Sequence, residues 1–414
     1  MRAVLLFLFL SASLLIFAQR ECVTEKYVAG IALNADVARR MHDVENFIQN
    51  ASHNIKSSVA NGKAGKLIIR IPVVVHVLYN ASQLNISDEQ IKTQLDALNR
   101  DFRRQNSDTT NTPARFKSLA ADVQIEFALA TADPKGRGTN GIVRKQTTVT
   151  EWNMDDKIKF SASGGDDAWD SRYYLNIWVG KMRSLLGYSS APAGPVEKDG
   201  LVINVTAFGT QNVSAPYNMG RTVVHEAGHW MGLKHIWGDT YCGDDIVDDT
   251  PKQGGFTSGC PTSFRTSCNN GEMGDMYMNY MDFTNDACMN LFTVGQAERM
   301  QALFQAGGPK SSFLISKGLN NPWAEAAPVV ESLPNNASLI IYPNPAINEL
   351  ILSFENDTWL GRELSLASIN GRVLQKIKIT SKLQKINISK LQAGVYVLQG
   401  ENGNQKLREK FIKL

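Results

Sequence analysis

The chain has 414 residues, 43% hydrophobic and 20% charged, proportions that exclude a collagen-like, coiled-coil or wholly disordered protein. At roughly 100 to 200 residues per domain, this length holds two or three domains, each with its own core. A formal net charge of +3 gives no reason to expect nucleic acid, but the charge is uneven: residues 200–300 carry 11 Asp and Glu against 5 Lys and Arg, an excess that bound cations would offset.

Met1 and Arg2 precede an apolar run from Ala3 to Ala18, which predicts a signal peptide over 1–19. The run is short for a bilayer, and no later stretch predicts a transmembrane segment once the signal is removed. Residues 20–65 are polar and weakly patterned and end in a basic stretch, Asn61 to Lys66, open to proteolysis; they read as a pro-segment. Cys22 lacks the small apolar residues of a lipoprotein site before it. Leu67 to Tyr79 is a β-branched run, too apolar for a surface strand, and opens a domain over 66–307 as a central strand. His76 within it reads as a satisfied core histidine. Ser87 and Gln90 form a capping-box pattern ahead of one apolar stripe, Ile91, Leu95, Leu98 and Phe102. Further strands are predicted at 123–127, 174–179 and 200–205, so the fold class is α+β. Residues 308–337 read as a linker, and 338–414 as a small all-β sandwich of short alternating strands, such as Leu350, Leu352 and Phe354.

Export permits disulfides, and Cys242, Cys260, Cys268 and Cys288 form an even cluster that predicts two bridges. A structural zinc site is the alternative, weakened by the absence of CxxC-like spacing.

The most informative stretch is His225-Glu-Ala-Gly-His229-Trp-Met-Gly232-Leu-Lys-His235. On a helix, residues i and i+4 lie about 40° apart and about 6 Å along the axis, so His225 and His229 can point at one ion. Gly232 can turn the chain through positive φ, bringing His235 back as a third ligand. Three imidazoles leave a fourth zinc position for water, and Glu226, about 100° round the helix from His225, is placed to take its proton. HExxHxxGxxH is the metzincin signature when a Met-turn follows, and Tyr277-Met-Asn-Tyr-Met281-Asp offers one, with Met276, Met278 and Met281 as candidates. For a lone methionine, the alternative role is core packing.

These motifs, with Ile71-Pro-Val-Val-Val-His-Val, Leu175-Asn-Ile-Trp-Val179, Leu186-Gly-Tyr188, Asp245-Ile-Val-Asp-Asp-Thr250-Pro and Cys288-Met-Asn-Leu-Phe-Thr293, resemble the pappalysin family of metzincin endopeptidases, its ulilysin-like members in particular. The resemblance implies a mixed twisted sheet with an active-site helix, and Met281 as the Met-turn residue. It also implies bridges Cys242–Cys268 and Cys260–Cys288, and calcium at Asp245, Asp248 and Thr250, the oxygen donors that calcium requires. The strand at Gly187 and Tyr188 would be the edge to which an extended substrate adds. Cys22 reads as a zymogen switch, its thiolate taking the open zinc position; the alternative is a stray thiol. One departure is Phe283, where relatives carry a tyrosine that helps to bind the tetrahedral intermediate; either Tyr280 or another group substitutes, or the enzyme is slower.

Tyr342-Pro-Asn-Pro345, Gly371-Arg-Val-Leu374, Leu391-Gln-Ala-Gly-Val-Tyr396 and the closing Lys410-Phe-Ile-Lys-Leu414 resemble the sorting domain of type IX secretion. That resemblance implies export through the periplasm to a secreted or surface-attached state, with the secretion machinery as partner. The expected function is therefore a secreted, latent zinc endopeptidase acting on proteins or peptides. The competing reading is a surface adhesin that keeps a structural metal; intact Glu226 argues against it, because a structural site needs no base. A zinc amidase acting on non-protein substrates is a third.

Overall fold

The computed structural model describes residues 22–60, 68–322, 339–354, 356–368, 372–403 and 405–414. The predicted signal peptide, the basic stretch at 61–66 and the second half of the predicted linker lie outside the described residues. The chain divides into two compact units, Met1–Glu325 and Ala326–Leu414. No helix among the described residues is long and apolar enough to cross a membrane.

The described residues of the first unit open on two helices, α1 (Thr24–Ile31) and α2 (Ala35–Ala60), within the segment expected to be polar and weakly patterned. The helical period is present: Val37, Val44, Ile48, Ala51 and Ile55 recur on one side of α2, and Ile48 joins the main core. Next come β1 (Ile69–Tyr79), α3 (Asp88–Phe102), β2 (Ile125–Leu129), β3 (Ile142–Gln146), β4 (Leu175–Gly180), β5 (Gly187–Ser189), β6 (Leu201–Asn204), α4 (Arg221–Trp230) and α5 (Val294–Ala302). The sheet runs β2-β1-β4-β6-β5, with β3 also on β1. All pairs are parallel except β5 on β6, so the short antiparallel strand β5 forms an edge. β1 is buried on both faces, as its continuous apolar run requires.

Ser87 caps α3 by accepting the Gln90 amide, and Ile91, Leu95, Leu98 and Phe102 all lie in the core between that helix, α4 and the sheet. On the opposite face, Trp178, Tyr188 and Val202 form a second cluster, covered by Val23 and Tyr27 from the start of the chain. His76 is satisfied on both nitrogens, by Asp166 at 2.7 Å and Asn176 at 3.1 Å, and stacks on Trp178.

The linker expected from residue 308 is corrected over its first half. Lys310 is buried with its ammonium 3.6 Å over the Trp230 ring, and Phe313 packs edge-on against the same indole at 5.5 Å. Residues 308–322 therefore fold as part of the first unit.

Among the described residues, the second unit has seven strands: β7 (Leu339–Tyr342), β8 (Glu349–Phe354), β9 (Glu363–Ser368), β10 (Val373–Lys378), β11 (Leu383–Asn387), β12 (Gly394–Asn402) and β13 (Gln405–Lys413). Two antiparallel sheets, β10-β9-β12-β13 and β11-β8-β7, share one core that includes Leu350, Leu352, Leu366 and Leu398.

Candidate active site

α4 is buried along its whole length, an unusual position for a helix with ionisable residues, and its first residue explains how it is held. Arg221 donates to Asp101 at 3.1 Å, Asp108 at 2.9 Å and the Asp286 carbonyl at 2.5 Å, tying the helix to α3 and to the loop after the Met-turn. His225 and His229 lie one turn apart, and Gly232 ends the helix at φ +80°, returning the chain so that His235 faces them. The His229 Nε2 lies 3.1 Å from the Nε2 of both His225 and His235.

Each imidazole uses its other nitrogen as a donor. Nδ1 of His225 bonds the Tyr280 carbonyl at 2.7 Å, that of His229 the Leu233 carbonyl at 2.9 Å, and that of His235 the Asp239 carboxylate at 2.5 Å. Such partners orient the rings and leave three Nε2 lone pairs converging. Burial pushes His229 and His235 down to about 3, so both are neutral. Three buried lone pairs that face one another need a shared cation, and 3.1 Å is close to the edge of about 3.3 Å in a tetrahedron of Zn–N bonds. The residues fit the metal.

Cys22 Sγ lies 3.5 Å from His229 Nε2, so a fourth donor atom completes the cluster. Its segment bridges Gly187 of β5 in parallel. Two residues later, the Thr24 hydroxyl donates to Glu226 Oε2 at 2.8 Å and accepts the Ser189 amide at 2.9 Å. Residues 22–24 thus lie across both the histidine cluster and the neighbouring carboxylate. Thr24 was not identified from the sequence; its only signal there is proximity to Cys22. Burial and the nearby Asp239 push the Glu25 carboxyl up to about 7.

Met281 is buried below the histidines. A Cβ on Gly228 would stand 2.5 Å from its sulfur, so the helix and the turn touch at a glycine. Met276 and Met278 pack instead with Trp237 and Phe283 in a separate cluster. The Phe283 ring lies 4.8 Å from that of His235 and 5.7 Å from that of His225. Tyr280 does not substitute for the missing tyrosine hydroxyl: its own hydroxyl is buried without a hydrogen-bond partner, and its ring packs on Phe292 and Arg221, away from the histidines.

Cys242 is bonded to Cys268 and Cys260 to Cys288, stapling the loop after His235 to the Met-turn region. Asp245 and Thr250 are brought together, the threonine hydroxyl 2.8 Å from the carboxylate, whereas Asp248 is exposed. Burial pushes Asp245 up to about 7. At β5, a Cβ on Gly187 would press the Val202 carbonyl at 2.9 Å and the Glu226 side chain at 3.3 Å, so glycine permits the close approach of strand and helix.

Residues 161–305 match the family described as Pregnancy-associated plasma protein-A, and residues 340–414 match the secretion system C-terminal sorting domain. An extracellular metalloprotease of Arthroderma gypseum is 30% identical over 273 residues, covering 61% of this chain and 80% of the relative. Another, from Pyricularia oryzae, is 31% identical and covers 60% and 80%. Among solved structures, mirolysin in complex with compound 9 is 50% identical with a TM-score of 0.59, covering 60% of this chain and 97% of its own. A promirolysin mutant of Tannerella forsythia is 44% identical with a TM-score of 0.64, covering 72% and 97%. This chain belongs to the pappalysin family of metzincin metallopeptidases, as a secreted endopeptidase that is made as a zymogen and carries a C-terminal sorting domain.

Proposed function

We propose that His225, His229 and His235 hold zinc, that Glu226 is the general base and then the general acid of peptide-bond hydrolysis, and that Cys22 keeps the precursor silent. The observation that carries this reading is the convergence of three buried Nε2 atoms beside the Glu226 carboxylate. Zinc held there supplies Lewis acidity, polarising the scissile carbonyl and acidifying water.

The chain's own residues do the rest. An extended peptide adds to the edge of β5 that the Cys22 segment now covers, its backbone pairing where the Ser189 amide now meets Thr24. Glu226, once released by Thr24, accepts a proton from the attacking water at a carboxylate oxygen and passes it to the leaving amine. The Tyr280 carbonyl, the Leu233 carbonyl and Asp239 hold the three imidazoles in one tautomer throughout. Met281 supports the histidine layer from below.

Latency follows from residues 20–65 as a pro-segment. The Cys22 thiol takes the place that water needs, and the Thr24 hydroxyl occupies the base. Asp245, Asp248 and Thr250 are proposed to bind calcium, which would relieve the burial of the Asp245 carboxylate. The tail is proposed to engage the type IX machinery, with the enzyme then released or held at the surface.

The test is a paired digestion of a denatured protein mixture by the matured chain and by Glu226→Ala, each with and without a zinc chelator. New termini that vanish in both controls support the reading; a zinc-loaded, matured wild type that cuts nothing refutes it.

A further inference from the structure

Resting on that reading, we propose that the pocket now filled by Tyr27 is a substrate subsite, and that in the matured enzyme it selects a tyrosine side chain. Tyr27 is buried where the start of the chain crosses the outer face of β5. Its hydroxyl donates to the buried Asp156 carboxylate at 3.0 Å, and its ring lies 5.0 Å from that of Tyr188. Lys159, fully buried, stands 5.0 Å over both tyrosine rings and 5.6 Å over Trp178, while pairing with Asp156 at 2.9 Å. Lys198 pairs with the second carboxylate oxygen at 3.1 Å.

Apart from Tyr27, each of these groups belongs to the body of the enzyme and remains when the pro-segment leaves. What remains is a slot with an aromatic wall, a cation over the ring position and a hydrogen-bond acceptor at its end. A phenol satisfies all three. A lysine or arginine side chain does not, because two ammonium groups already share Asp156.

The slot is within reach of a bound peptide. Thr24 touches both Glu226 and the Ser189 amide, and Tyr27 lies about one helical turn, or about 5 Å of rise, further on. On a strand added to β5, alternate residues share a face and repeat every 6.8 Å or so. Gly187 faces the Glu226 side and Tyr188 the opposite face, so one substrate side chain near the scissile bond projects beside Tyr188.

The test uses matured wild-type enzyme and a fluorogenic peptide series in which Tyr, Phe and Ala are exchanged at each position flanking the scissile bond. At one position, Tyr should lower KM about tenfold relative to Phe, the effect of one hydrogen bond to a charged group, with kcat within about twofold. Asp156→Asn should shrink that Tyr-over-Phe ratio to below about threefold, while the wild type cuts the Ala peptide. Equal handling of Tyr and Phe at every position by the wild type overturns the subsite, and needs no variant to fold. A tyrosine preference that survives Asp156→Asn overturns the assignment to Asp156. Cleavage of none of the peptides overturns the peptidase reading and the subsite with it, and is distinguished by the silence of the Ala peptide.

Discussion

Gly228, inside the zinc motif, has no ligand role, yet its contact leaves no room for a side chain. Alanine there would drive a methyl group to 2.5 Å from the Met281 sulfur. Overpacking of this kind costs about 1 to 3 kcal/mol, so Gly228→Ala should lower the melting temperature and, by displacing the turn whose carbonyl orients His225, weaken metal retention during dialysis. Phe283 invites the opposite experiment. Its ring stands beside the His225 and His235 imidazoles, where a hydroxyl would face the proposed zinc site, so Phe283→Tyr should raise kcat several-fold with little change in KM, measured on one peptide. The histidine cluster is legible in the sequence because a helical period and one glycine bring His225, His229 and His235 together within eleven residues. Thr24 is not, because its contact with Glu226 spans 202 residues and no local pattern encodes it.

Among the elements, α2 bears on the proposed latency through a contact beyond those of Cys22 and Thr24. Glu45 on α2 makes a two-pronged pair with Arg299 on α5, at 3.0 and 2.8 Å, and Arg299 also donates to the Gly232 carbonyl at 3.3 Å. The turn before His235 is thus contacted by the same arginine that pairs with α2, part of the proposed pro-segment. Arg299 is nearly buried, and truncating one partner of such a pair leaves the other charge unpaired, typically at a cost of about 2 to 5 kcal/mol. Glu45→Ala should therefore speed maturation of the precursor by about tenfold or more, read as loss of the full-length band over time; an unchanged rate would mean that Cys22 and Thr24 alone hold the segment. The periodic apolar residues of α2 are visible in the sequence, as is its cap, Asn34, whose side chain accepts the Asp36 and Val37 amides, but a high polar content masks them. β1 is easier to read, since a strand buried on both faces leaves a continuous run that no solvent-facing element carries.

At the scale of the whole molecule, the ion site and both disulfides belong to one unit and the sorting tail to another with its own core. The switch from mixed elements to short alternating strands near residue 339 is legible because strand period is local. The fold of residues 308–322 is not, because what fixes it is Lys310 and Phe313 meeting a tryptophan on a distant helix. A metal bound only by the folded state stabilises by mass action, about 2.7 kcal/mol at a hundredfold excess over Kd. Calorimetry should then show two transitions, with a chelator lowering only the one from the unit that holds the histidines, by about 5 °C or more. Reducing agent should act on that same transition, because Cys242, Cys260, Cys268 and Cys288 all lie in it, whereas deleting residues 339–414 should remove the other transition and leave this one in place. A single transition that moved as a whole under all three treatments would mean that the two cores unfold as one cooperative body.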